Sequence, residues 1–361
     1  MTSVRKLGNG RLVMRRCHGT AGPGEVNPGN VWLRCDYAGA TVSESPATLA
    51  PALAALPAFA LGCGNFGGVG SAPAFFGQGV PRDEAFRLMD AALDLGLTLF
   101  DTADAYGGGR SEQWIGEWLA ARGSAVRERI QIMTKVFNPM DEGAAGGLAP
   151  ARVRTQLHSS LARLSVERVD FYLVHEPDPL VPLADTLGVF DELVAAGKVG
   201  AYGVSNVDAS YLQETLALGT PCLVQNSYSL LDRRDEAELL PLCAAHGLGY
   251  TPFGPLAGGW LTGKYRRGEG FPEGSRMTLR PEPYTHLLAG SVYDAIEGLE
   301  ARARDHGVSA AGLALAWLQA QPLVTSVVTG PGRAEHLAPV TEALSITLSP
   351  AERDEIGALF A

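Results

Sequence analysis

The sequence lacks the spacing of a metal centre. Its five cysteines, Cys17, Cys35, Cys63, Cys222 and Cys243, form no CxxC pair and no metal-ligand pattern with a histidine. No metal site is expected, and an odd number of cysteines reads as reduced thiols of a cytoplasmic protein. Positive charge is scarce too: 29 Lys and Arg face 39 Asp and Glu in 361 residues, for a net charge of −10. That balance argues against nucleic acid as a partner. Unbroken apolar runs are also missing. Residues 45–81 carry no charge, yet Pro46, Pro51, Pro57, Pro73 and Pro81 interrupt the roughly 20 apolar helical residues that a bilayer requires. Residues 307–332, likewise uncharged, are split by Gln319, Gln321 and Pro322. No membrane span is expected, and the basic start (Arg5, Lys6, Arg11) leads into no apolar signal segment.

What is present falls into two parts. Residues 1–56 hold six basic and three acidic residues, with Gly, Pro and Asn punctuation from Gly19 to Asn30 and no periodic run able to bury a face. They read as a poorly ordered N-terminal extension. Residues 57–361 alternate short β-type runs with amphipathic helical stretches. The runs are Phe59–Cys63, Leu97–Asp101, Ile130–Lys135, Val169–His175, Val199–Val204, Cys222–Asn226, Leu248–Phe253 and Val324–Thr329. Eight βα units in about 300 residues predict an α/β fold, a closed (β/α)8 TIM barrel, with two extra helices at Val292–Asp305 and Pro350–Leu359.

The informative feature is where the apolar runs stop. Successive strands end in Asp101, Lys135, His175, Ser205–Asn206 and Gln225–Asn226. In a parallel barrel these ends converge on one mouth, where barrel enzymes place their chemistry. Asp101 and Lys135 can pair there, with Tyr106 in the loop above. The ammonium is expected to lower the phenol from its ordinary value of about 10 and make Tyr106 a usable general acid. His175 can donate to the same substrate oxygen. With no strong nucleophile in the set, the pattern suits protonation of a carbonyl oxygen while a cofactor delivers an electron pair. Read otherwise, Lys135 is the Schiff-base lysine of an aldolase, and Ser205–Asn206 cap the following helix.

These residues resemble the aldo-keto reductase superfamily. The matching stretches are Leu99 to Gly107 with Ser111-Glu112 and Ile115-Gly116, Met133-Thr134-Lys135, Asp170 to His175, and Gly197 to Asn206. They continue with Pro255 to Gly259, Leu261 to Lys264, and Leu313 to Trp317, and their order and spacing agree over roughly 300 residues. The resemblance implies an NADPH-dependent reductase of aldehydes or ketones. Tyr106 is then the proton donor, Lys135 and Asp101 tune it, and His175 orients the substrate. It further implies that Ser205, Asn206 and Gln225 hold the nicotinamide carboxamide and that Phe253 stacks on its ring. Gly254, Pro255, Leu256, Gly258 and Lys264 would wrap the pyrophosphate, with Gly330, Arg333 and His336 at the adenosine 2′-phosphate.

Ala338-Pro339-Val340 depart from the family pattern, which implies weaker adenine contacts. Without a long C-terminal loop, the substrate pocket is expected to be shaped by Phe75, Phe76, Tyr106, Phe137 and the loop Lys264–Ser291. The small carbonyl substrate itself is not specified. A second expectation is an NADP(H)-binding, redox-sensing regulatory subunit with little turnover, as in relatives attached to ion channels.

Overall fold

A computed structural model describes residues 53–361 and the backbone of two short strands nearer the N-terminus, Ser3–Lys6 and Leu12–Arg15. Those two strands pair antiparallel, Ser3 opposite Arg15. The expected poorly ordered extension, residues 1–56, otherwise lies outside the described residues up to position 52.

Eight strands form one parallel sheet: β1 (Phe59–Gly62), β2 (Leu99–Asp101), β3 (Gln131–Val136), β4 (Val169–Val174), β5 (Val199–Ser205), β6 (Leu223–Gln225), β7 (Gly249–Tyr250) and β8 (Val327–Thr329). Neighbours in sequence are neighbours in the sheet, and β8 returns to pair with β1, Val327 opposite Phe59. Between β7 and β8, Thr325 N donates to Tyr250 O and Val328 N to Pro252 O, both at 2.8 Å, which closes the ring. The chain is a (β/α)8 barrel.

Side-chain alternation divides its core into two layers. Ala60, Leu99, Met133, Phe171, Leu173, Ala201, Leu223 and Val328 pack inside the barrel. Their sequence neighbours, such as Phe59, Leu61, Phe100, Ile132 and Tyr172, pack outward against the helices. Leu53 and Leu56 pack against the inner cluster, so the chain is engaged with the barrel before its first strand.

The helices of eight residues or more are α1 (Arg82–Asp94), α2 (Arg110–Arg122), α3 (Pro150–Leu164), α4 (Leu183–Ala195), α5 (Ala209–Leu218), α6 (Leu239–His246), α7 (Gly290–Asp305), α8 (Ala310–Gln319), α9 (Ala338–Ser345) and α10 (Pro350–Ala358). Caps set several starts: Asp208 accepts from Tyr211 N, Ser309 from Gly312 N, and Ser349 forms a reciprocal capping box with Glu352. Helices α2 and α3 approach so closely at Gly116 that a Cβ there would lie 2.3 Å from Arg163 O. α7 and α10 are the two extra helices expected beyond the repeating units. α9 lies where the sequence analysis named no helix, and it carries Pro339 near its start. The proline occupies the first turn, where a missing N–H costs nothing.

Candidate active site

The same alternation builds the mouth of the barrel. Leu99, Met133, Leu173 and Leu223 point inward, so the residues two further on, Asp101, Lys135, His175 and Gln225, also point inward but one layer higher. Lys135 Nζ lies 2.7 Å from Asp101 Oδ1, 2.9 Å from Thr102 O and 3.5 Å from Tyr106 Oη. Tyr106 reaches over the pair because Gly107, Gly108 and Gly109 turn the chain with φ of 60°, 68° and 89°. A Cβ on Gly107 would fall 2.4 Å from Phe66 O, so this turn admits no side chain.

Burial acts against the Lys135 ammonium, but Asp101 and then Tyr106 outweigh it and raise its pKa above the ordinary value. The lysine is therefore charged, with its donors directed at three oxygens. A Schiff base needs a free neutral amine, so the aldolase alternative does not fit this environment.

Tyr106 departs from expectation. Burial raises its pKa first; the Lys135 charge lowers it, and the Asp101 carboxylate raises it again. The net direction is up, not down. The sequence places an ammonium beside the phenol but not the water-poor surroundings, and desolvation wins. The phenol is consequently protonated at neutral pH.

His175 stands edge-on to Tyr106, ring centroids 5.6 Å apart. Burial, then the Lys135 charge, holds its pKa well below the ordinary imidazole value. Asn138 Nδ2 lies 3.2 Å from its Nδ1. With Nδ1 accepting from that amide, Nε2 carries the proton of the neutral ring. Asn138 is a site residue that the sequence pattern missed. It follows Lys135 by three positions in a loop, without a signal of its own.

A cleft of about 440 Å³ opens above this floor, lined by Tyr106, His175, Ser205, Asn206, Gln225 and Phe253 together with Gly70–Pro73, Asn138, Pro139, Glu176 and Arg280. The carboxamide-binding set predicted from the sequence is brought together here. Asn206, at φ 56°, donates its amide to His175 O at 2.9 Å and to Ser205 Oγ. Gln225 Nε2 donates to Asp101 Oδ1 at 2.9 Å, an attachment to the ion pair not anticipated from the sequence. Both amide nitrogens are committed to the protein, leaving the amide oxygens as acceptors. Two acceptors beside a serine hydroxyl match the donors and acceptor of a primary carboxamide.

Along the proposed dinucleotide path, Gly254 (φ 65°) has only the Ser227 hydroxyl near the position of a Cβ, at 3.8 Å, and Gly258 (φ 64°) leaves no room for a Cβ under Tyr284. Lys264 Nζ sits 5.1 Å from the centroid of the Tyr265 ring. Arg333 Nε donates to His336 Nε2 at 2.9 Å. Burial, then the Arg333 and Lys264 charges, keep the His336 pKa below its ordinary value, so three basic side chains converge. Gly330 O accepts from Asn65 Nδ2, and Asn65 Oδ1 in turn accepts from Arg276 at 2.6 Å. Asn65 and Arg276 were not singled out in the sequence. An arginine so placed, with no carboxylate partner among the described residues, adds a further cation on this side of the barrel mouth.

The pocket aromatics are placed differently from expectation. Phe75, Phe76 and Phe137 do not line the cleft. Phe75 lies beneath the Arg280 guanidinium, Phe76 covers Gly108, and Phe137 packs against the outer core cluster. Their apolar rings are used to support the walls. The loop Lys264–Ser291 does reach the cleft, through Arg280.

An acid, a base and an imidazole at the mouth of a parallel barrel, beside a carboxamide-shaped polar set, define a barrel oxidoreductase. The profile of the Aldo/keto reductase family matches residues 60–360, and the chain belongs to that family. It is similar to the NADH-specific methylglyoxal reductase of Escherichia coli (strain K12), 32% identical, covering 79% of this chain and 89% of that one. It is similar as well to a probable voltage-gated potassium channel subunit beta of Oryza sativa subsp. japonica, 34% identical, covering 79% and 89%. Among solved structures, the glycerol dehydrogenase AKR11B4 from Gluconobacter oxydans superposes with a TM-score of 0.74 at 27% identity, covering 85% of this chain and 92% of that one. No helix among the described residues is long and apolar enough to cross a membrane.

Proposed function

We propose that this chain is an NADP(H)-dependent carbonyl reductase that converts an aldehyde or ketone to an alcohol. The observation that carries the reading is the buried Lys135 ammonium bonded to Asp101 and to the Tyr106 hydroxyl at the floor of an open cleft. Bound there, the nicotinamide supplies the hydride for the carbonyl carbon. Tyr106, kept protonated by burial, donates its proton to the carbonyl oxygen as negative charge develops. Lys135 stabilises the phenolate that remains, and Asp101 holds Lys135 charged. Neutral His175 offers Nε2–H to the same oxygen and so orients it. The reverse oxidation uses the same groups in the opposite sense.

Ser205, Asn206 and Gln225 would hold the carboxamide, and Phe253 offers an aromatic face to the ring. The backbone of Gly254, Pro255, Leu256 and Gly258, with Lys264 and Arg276, would hold the pyrophosphate. Gly330, Arg333 and His336 would meet the 2′-phosphate, and the guanidinium of Arg333 is the reason for preferring NADPH over NADH. A cytoplasmic location goes with the same reading.

The full chain assayed with NADPH and with NADH against aromatic aldehydes, sugars and diketones tests this. Turnover is expected in at least one class, reduced on the order of 10²- to 10⁴-fold in Tyr106→Phe while nucleotide binding persists. The similarity to a channel subunit keeps the regulatory reading as the competitor. Tight NADPH binding without turnover of any compound would establish that reading instead. Equal kcat/KM with both nucleotides would remove the role given to Arg333.

A further inference from the structure

Facing Tyr106 and His175, the cleft carries a cation that the reduction chemistry does not use. Arg280 lines the same cavity, half-buried, with its guanidinium carbon 5.8 Å from the centroid of the Phe75 ring. Surface arginines of this protein hold carboxylates, as Arg154, Arg234 and Arg267 do. Arg280 has neither a carboxylate partner nor a hydrogen-bond acceptor among the described residues. Five donors held over an aromatic face and left without an acceptor make a receptor for a planar anion.

The surrounding charges do not cancel it. Lys135, the other cation beneath the cleft, is neutralised by Asp101 at 2.7 Å. Arg276, four residues earlier, has its pKa lowered by burial and, against the opposing pull of Tyr284, by Arg280 itself, so the two cations share a neighbourhood with no counter-ion among the described residues. Glu176 also borders the cleft, but it is exposed and its field is screened by water. Gly70 lies beside the guanidinium, where even an added Cβ would be only in ordinary contact with Nη1, at 3.9 Å.

Size restricts the ligand further. The cleft of about 440 Å³ must admit both the nicotinamide head and the substrate, which leaves room for a small molecule. We propose that Arg280 is a substrate-binding residue, and that the compound reduced here is a small aldehyde or ketone carrying a carboxylate. Its carbonyl lies at Tyr106 and His175 and its carboxylate on Arg280. The inference rests on the carbonyl-reductase reading. One hydride and one proton enter at the C=O to give the hydroxy acid, and the carboxylate takes no part in the bond changes.

Two measurements on the full chain test it. The first compares 4-oxobutanoate with butanal, the same carbon chain with and without the carboxylate, under NADPH. The wild type is expected to favour 4-oxobutanoate, and Arg280→Gln to reduce the ratio of the two kcat/KM values about tenfold or more through KM, with partial recovery in Arg280→Lys. The second titrates succinate, with succinamide as the uncharged control, into the chain saturated with NADP⁺ by calorimetry. Succinate alone is expected to bind, and Arg280→Gln to abolish it. If neither these two carbonyls nor any compound of the wider panel is reduced but succinate binds through Arg280, the anion site stands and the reductase reading falls. If both are reduced with the same ratio in wild type and Arg280→Gln, the reductase reading stands and the anion site is overturned. Unfolding curves that coincide for Arg280→Gln and wild type exclude a folding defect as the cause of lost discrimination.

Discussion

Asp101 and Asp104 lie three residues apart, both buried, and they meet opposite surroundings. Asp101 receives Lys135 at 2.7 Å and Gln225 at 2.9 Å on the same oxygen. Asp104 has no well-formed hydrogen bond to either carboxyl oxygen, and its nearest cation, Arg152, stands 4.0 Å away. Burial and the like charge of Glu112 push its pKa up to about 7. Glu112 itself is fully buried but accepts from Thr134 at 2.6 Å and from Arg163. The three carboxyls are alike in burial and differ in their partners: Asp101 and Glu112 have donors within hydrogen-bond distance, and Asp104 has none that is well formed.

The sharpest way to break this contrast is Lys135→Met, which leaves Asp101 as an uncompensated buried charge. Turnover is expected to fall on the order of 10²- to 10⁴-fold, and urea unfolding to show a loss of roughly 3–5 kcal/mol. Adding Asp101→Asn is expected to restore much of the stability and none of the turnover. Full stability in the single variant would mean that the Lys135–Asp101 pair does not help to hold the fold.

Asp104→Asn is expected to act in the opposite direction. A carboxyl titrating near 7 in the folded chain and near 3.8 when unfolded keeps its proton longer in the native state. Wild-type stability accordingly declines as pH rises from about 4 to 7, by on the order of 4 kcal/mol. The asparagine variant lacks this loss, so its advantage in urea unfolding should be absent below pH 4, grow through pH 5 and 6, and level off above 7. A constant offset at every pH would assign the effect to packing.

Asn138→Leu tests the imidazole rather than the carboxylates. Without the amide at Nδ1, the wrong tautomer of His175 becomes populated, and kcat is expected to fall roughly five- to tenfold, with little change in nucleotide binding. Smallest is the pH effect on catalysis. With His175 held below its ordinary range and Tyr106 above its own, kcat/KM in the Asp104→Asn background should stay flat from pH 6 to 9. A limb centred near 6.5 would show that His175 titrates in the working range.

Several parts of this molecule were readable from residue order alone. Each of the eight apolar runs became a strand, with ends shifted by a few residues. The Asp101, Lys135 and His175 cluster was legible because polarity broke in at the end of each run. Helix α9 was less legible, since one proline at an exposed start and one inside a helix look alike in sequence. The helical segment that precedes β7 begins as a 3-10 turn at Arg234–Glu236 before it continues as α6, a change of pitch that the amphipathic pattern does not mark.

Alternation with a period of two, fixed by strand geometry, let the sequence determine the barrel and the rim at which Asp101, Lys135, His175 and Gln225 gather. Only the folded chain decided the balance of desolvation against charge that raises the pKa of Tyr106. The same holds for the loops that turn Asn138 onto His175 and Arg280 into the cleft, and for the packing that draws Phe75 behind the wall. These depend on distances between segments far apart in the chain and on how much water they exclude, and neither quantity is encoded in local pattern.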